Sequence, residues 1–228
     1  MNAATLAALN AARAALRPVV LATRLPDGHQ MLLPDEAASP ALNAAALVAL
    51  AKDKNGTQEI DGSAWFLHAY APPVRLVIVG AVHIAQSLVP MAAPLGVQII
   101  VVDPRRSFAT EERFPNVTLM DDWPDDAMKA IAPDSRTAVI TLTHDPKLDD
   151  PALDQALRSD AFYIGSLGSR RTHAARLARL AALGHDEAAL ARIKGPVGLD
   201  IGAVSAPEIA LSILAEFVAY RRRLGRPA

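Results

Sequence analysis

Arg75-Leu76-Val77-Ile78-Val79-Gly80-Ala81-Val82-His83-Ile84-Ala85 is the stretch on which the fold turns. Leu76 to Val79 is an unbroken apolar run, the pattern of a strand buried on both faces of a parallel sheet. Gly80 ends it, helical spacing follows from His83 to Ala93, and Val97 to Val102 forms a second apolar run. In the usual dinucleotide-binding turn, three glycines give the tight bend, the close pyrophosphate approach and the close helix–sheet packing. Gly80 fills the first place, Val82 stands where the second belongs, and Ala85 takes the third, which tolerates alanine. The helix start still offers backbone N–H groups to a phosphate, although Val82 makes close pyrophosphate approach harder. A plain strand-to-helix turn has the same appearance. Asp103 ends the second strand 23 positions after Gly80. A carboxylate about 20 residues beyond that turn meets ribose hydroxyls in dinucleotide-binding folds. Arg105 and Arg106 follow, with guanidinium groups suited to phosphate; the alternative is a capped turn with solvated arginines.

Downstream, strands expected at Val117–Met120, Thr137–Thr141 and Ala161–Ile164 alternate with helices. The helices are expected at Asp125–Ile131, Pro151–Arg158, Ser169–Leu183, Asp186–Ile193 and Ala206–Arg223. This alternation predicts an α/β fold, a Rossmann-like, mainly parallel, doubly wound sheet. Upstream the pattern differs. An Ala-rich amphipathic helix stops at Pro18, a hairpin turns at Pro26-Asp27-Gly28, a helix spans Ala41–Lys52, and a second hairpin turns at Asp61-Gly62. Residues 1–72 therefore read as a small α+β N-terminal module and 73–228 as the cofactor-binding domain, with Pro72-Pro73 between them.

Composition narrows the function. Of 228 residues, 51% are hydrophobic and 21% charged, with a net charge of −1 and no cysteine. Disulfides, cysteine nucleophiles and thiolate-ligated metals are excluded, and nothing invites nucleic acid or an anionic membrane. Met1 to Thr5 lacks the charged and apolar regions of a signal peptide, so a cytoplasmic location is expected.

Three further stretches carry candidate chemistry. Gly165-Ser166-Leu167-Gly168-Ser169-Arg170-Arg171 reads as a glycine-rich turn opening a helix, where dipole, amides and guanidinium charge together favour an anion. The plainer reading makes Ser169 an N-cap and leaves both arginines in solvent. Thr143-His144-Asp145 closes a strand at the carboxyl edge, where open α/β sheets bind ligands. There His144 contacts a ligand, shuttles a proton, or is an ordinary loop residue. Gly195 to Ala203 reads as a shaped loop in which Asp200 orders the backbone or meets a ligand amine. Ala64 to Tyr70 alternates in a way that suggests a homodimer contact.

Together, Gly80–Ala85, Asp103-Pro104-Arg105, Thr143-His144-Asp145, Tyr163–Arg171 and Gly198–Ala203 resemble the XdhC/CoxI family in order and spacing, from Arg75 onward. That family comprises accessory proteins of xanthine and carbon-monoxide dehydrogenase maturation. The resemblance implies a Rossmann-like domain that binds molybdenum cofactor, as molybdopterin or its dinucleotide form. It also implies delivery to a xanthine dehydrogenase-type apo-molybdoenzyme, often after sulfuration by a cysteine desulfurase. Such a protein is a chaperone rather than an enzyme. On this reading Gly80, Ala81, Val82 and His83 face a phosphate, and Asp103 holds a ribose hydroxyl or pterin amine. Arg105 contacts phosphate, and Gly165, Ser166, Gly168, Ser169 and Arg170 form a second anion site, with His144 and Asp200 nearby. Two features depart from the family pattern: Val82 at the second glycine place, and the absence of cysteine from the N-terminal segment. The alternatives are an NAD(P)-dependent oxidoreductase, with His144 or His83 as proton donor, and a nucleotide-responsive binding module.

Overall fold

The computed structural model describes residues 2–223. Met1 and residues 224–228, the last of the expected cofactor-binding domain, lie outside the described residues. Two compact units emerge among the described residues: the chain up to Pro72 together with Arg222 and Arg223, and Pro73–Arg221.

The first unit runs α1 (Ala3–Ala14), β1 (Val19–Arg24), β2 (Gln30–Leu33), α2 (Pro40–Lys52), β3 (Gly56–Ile60) and β4 (Ser63–Tyr70). Its strands form an antiparallel sheet in the order β2-β1-β4-β3. Period-two alternation sends Trp65 and Leu67 of β4, with Val20 and Ala22 of β1, into one core with Leu42, Ala46 and Ala49 of α2. Ser39 caps α2, its hydroxyl accepting from the Leu42 amide at 3.1 Å.

The second unit runs β5 (Arg75–Val79), α3 (His83–Ala92), a 3₁₀ turn (Ala93–Leu95), β6 (Gln98–Val102), β7 (Thr118–Met120), α4 (Pro124–Ile131) and β8 (Thr137–Thr141). It continues with α5 (Pro146–Leu157), β9 (Tyr163–Ser166), α6 (Arg170–Ala182), α7 (Glu187–Leu190), β10 (Ile193–Lys194) and α8 (Ala206–Arg223). All six strands pair in parallel in the order β10-β9-β8-β5-β6-β7. The chain starts in the middle at β5, builds to one edge, then crosses back to β8 and builds to the other. That is the Rossmann order, and its direction reverses between β5 and β8. Alternation along the buried strands feeds two cores. Leu76, Ile78 and Ile140 pack with Leu88 of α3 and Phe217 of α8, while Val77, Val79 and Val139 pack with Met128, Leu153 and Leu180.

In the second unit, three elements differ from the sequence reading by two residues or more. Helix α5 begins at Pro146, not Pro151, because Asp145 caps it and Pro146 sits in the first turn, where no N–H is needed. Strand β9 runs two residues further than expected, so Gly165 and Ser166 are strand residues. Ile193 and Lys194 pair with Ile164 and Gly165 as a sixth strand rather than ending a helix. Among the described residues, no helix is long and apolar enough to cross a membrane.

Candidate functional site at the carboxyl edge of the parallel sheet

The turn after β5 is fixed by close packing. Gly80 has φ +111°, and a Cβ there would lie 2.6 Å from Cγ2 of Thr143, so only glycine fits between the ends of β5 and β8. The Gly80 amide donates to Val102 O at 2.8 Å. Val82 is the extended residue ahead of α3, and no side chain caps that helix. The first-turn amides after Val82, His83 among them, are thus an uncapped helix start at the switch point. His83 is exposed and Ala81 is buried.

Asp103, the expected ribose or pterin contact, is held by protein donors. Its side chain is fully buried. Oδ2 accepts from the Ala81 amide at 2.8 Å and from Arg105 Nη2 at 2.7 Å. Oδ1 accepts from the Arg105 amide at 3.0 Å and from Arg105 Nε at 2.8 Å. Burial alone would raise this carboxyl, but the bonds from Arg105 and the Ala81 amide outweigh it and hold the pKa below the ordinary value. Asp103 therefore fastens the β5 turn to the end of β6. Arg105, the expected phosphate contact, is half of that clamp and lies 4.3 Å over the Phe108 ring. Arg106 is exposed and pairs with Asp121 at 2.7 Å.

After β8, Thr143 Oγ1 donates to Asp149 Oδ1 at 2.6 Å, and Asp145 accepts from the Lys147 amide as the cap of α5. His144, with φ +62°, is exposed at the tip of this loop. After β9, Gly165 and Ser166 are buried, with Ser166 Oγ 2.5 Å from Thr141 Oγ1. The turn itself is therefore Leu167–Ser169. Ser169 caps α6, accepting from the Thr172 amide at 3.1 Å, while Arg170 and Arg171 are exposed.

The loop after β10 completes the edge. Gly198 has φ +100°, and a Cβ there would lie 2.4 Å from Ser212 Oγ. Its amide donates to Glu216 Oε2 at 2.9 Å, and the Tyr163 hydroxyl donates to the same oxygen at 2.5 Å. Burial, then the bond to Glu216, pushes the Tyr163 phenol far up, so it stays a neutral donor. The loop, the Leu167–Ser169 turn and the start of α8 enclose a cleft of about 430 Å³ that includes Gly168, Arg170, Val197, Asp200, Ile201 and Ile209. This volume suits a small heterocyclic ligand. Ser205 and Glu208 begin α8 as a capping box, with Glu208 Oε2 accepting from the Ser205 amide at 2.8 Å. Among the described residues, no group of His, Asp and Glu is placed to hold a metal ion.

Of the expected residues, Gly168, Arg170 and Asp200 line one cleft, and Gly80 to His83 form the turn at the switch point. Asp103 and Arg105 bond to each other, and Gly165 and Ser166 are strand residues beneath the edge. Sequence reading missed Glu216, Asp149 and Arg176. Asp149 and Arg176 are both buried, 3.5 Å apart. A signal for Arg176 was present, since it lies one helical turn before Leu180 on the buried face of α6.

Residues 76–217 match the family model described as the XdhC Rossmann domain. The chain is 35% identical over 152 residues to the molybdenum cofactor insertion chaperone PaoD of Escherichia coli (strain K12), covering 67% of this chain and 42% of that protein. It is 31% identical over 160 residues to a probable xanthine dehydrogenase subunit of Bacillus subtilis (strain 168), covering 70% of this chain and 46% of that protein. A crystal structure described as that of a xanthine dehydrogenase from Bacillus halodurans superposes with a TM-score of 0.66 at 25% identity, over 92% of this chain and 61% of that one. The chain thus spans less than half the length of both curated relatives. With its Rossmann strand order, its carboxyl-edge turns and this match, the chain belongs to the XdhC family.

Proposed function

We propose that this protein binds molybdenum cofactor at the carboxyl edge of its parallel sheet and delivers it to a xanthine dehydrogenase-type molybdoenzyme. The observation that carries the reading is the cleft of about 430 Å³ whose lining includes Gly168 and Arg170, at the start of α6, and Asp200. A pterin phosphate needs an anion-binding end and an acceptor for its exocyclic amine, and the lining of this cleft includes residues for both. The α6 amides and Arg170 take the phosphate, and Asp200 accepts from the amine. A carrier needs holding and release, not proton transfer, and the side chains here are suited to holding. PaoD, a molybdenum cofactor insertion chaperone by name, supports the same reading.

A nicotinamide dinucleotide is the second reading, favoured by the uncapped start of α3 at the strand-order switch. It meets an obstacle at Asp103, which would have to release Arg105 to reach a ribose. Anaerobic calorimetric titration with molybdenum cofactor, NADH and NADPH separates the two. We expect heat with the cofactor and about tenfold weaker binding in Arg170→Ala. Nicotinamide binding without cofactor binding would overturn the carrier reading, and unchanged affinity in Arg170→Ala would remove the α6 turn from it.

A further inference from the structure

The first turns of α6 hold a cation that has not used its donors. Arg176 is 2% exposed, yet its Nε and Nη1 have no hydrogen-bond partner. Only Nη2 is engaged, donating to Leu167 O at 2.9 Å and lying 3.5 Å from Asp149 Oδ2, itself without a hydrogen bond. A buried guanidinium with two idle nitrogens is costly and calls for a missing partner. Its position names the place. The Cβ that Gly168 lacks would stand 3.8 Å from Arg176 Nη1, so the guanidinium lies directly beneath the Leu167–Ser169 turn, on the side where α6 begins. Gly168 has φ +140°, a conformation that side chains rarely adopt, and it carries no side chain between the turn and Nη1.

We propose that Arg176 is the buried cation of an oxyanion subsite at the Leu167–Ser169 turn, taking a phosphate-type oxyanion between its idle guanidinium nitrogens and the first amides of α6. The proposal rests on the carrier reading only for the source of that phosphate. Charge and donors point the same way, since the positive end of the α6 dipole adds to the guanidinium. Asp149 Oδ2 stands 3.5 Å from Nη2 without a hydrogen bond, and burial, outweighing what Thr143 and Arg176 return to it, raises its carboxyl above the ordinary value. Asp150 and Arg179 act on Arg176 from further off with opposite signs. Arg170 is the exposed first residue of α6, next to the same turn, and would add its charge to the subsite from solvent.

The test uses the full chain and inorganic phosphate, with pyrophosphate as a second probe. The Arg176 Nε–H resonance and the Gly168, Ser169 and Arg170 amides are followed by NMR during titration, and affinities are measured for Arg176→Lys and Arg176→Met. The expected result is a shift of the Nε–H resonance that saturates with the three amides. Phosphate affinity should fall tenfold or more in Arg176→Met and less in Arg176→Lys. Amide shifts without any change at Nε–H, or Arg176→Met binding phosphate as well as the parent, would overturn the proposal. The wild-type Nε–H measurement decides the matter even where Arg176→Met does not fold. Phosphate binding with this signature but no binding of molybdenum cofactor would leave the subsite standing and remove the carrier reading.

Discussion

A methyl group at position 80 would stand 2.6 Å from Thr143 Cγ2, on a backbone with φ +111°. Gly80→Ala must both strain that turn and push the Thr143 side chain aside, and we expect it to cost about 1–3 kcal/mol, measured as a lowered urea midpoint. Asp103 makes a pH-dependent contribution at the same turn. Its folded pKa lies below its unfolded one, so its stabilisation is present above about pH 4 and is lost as pH falls through the folded value. Asp103→Asn should therefore be less stable than the parent at neutral pH, with the gap narrowing in urea titrations taken below about pH 4. Asp149 runs the other way. Its folded pKa is raised, so its charge is a cost above that value, relieved as pH falls through it. A gap between Asp103→Asn and parent that does not change with pH would show that the Arg105 clamp contributes nothing through charge.

Among the elements, α6 carries the sharpest expectation. Ser169 accepts the Thr172 amide, so Ser169→Ala should lower stability by about 1 kcal/mol in denaturant titration. Phosphate binding should survive, because the turn offers backbone amides rather than this hydroxyl. The elements also show what a sequence makes legible. The fully buried strand β8 and the long α8 are readable to the residue, because an unbroken apolar run and a sustained helical stripe are strong periodic signals. Strand β10 is not, because two residues have no period and pair only through a parallel neighbour. Pro151 looks like the start of α5, yet the helix tolerates that proline one turn in and begins at Pro146. The glycine and arginine turns of the candidate site are legible from local composition. The directions of their side chains are less so: Asp103 turns inward to Ala81 and Arg105, and the burial of Arg176 shows in the sequence only through its spacing from Leu180.

The whole molecule is two compact units with separate cores. The described core residues of the second fall between Val74 and Tyr220, and those of the first between Leu9 and Ala71. A fragment beginning at Pro73 should accordingly fold, unfold cooperatively and keep its phosphate response, as circular dichroism and the same NMR titration would show. A fragment lacking cooperative unfolding would mean that the parallel sheet depends on the N-terminal module for its stability. The division also assigns work, since every residue of the candidate cleft belongs to the second unit.

Glu216 holds the Tyr163 hydroxyl and the Gly198 amide on a single oxygen, so one atom of α8 ties strand β9 to the loop that walls the cleft. On the proposed carrier reading, the wall's fastening would govern how long the cargo stays rather than how tightly it first docks. Loosening that one oxygen would then shorten residence time at nearly constant capture rate. A client that draws Glu216 away would thus unload the carrier without competing for any atom of the cargo.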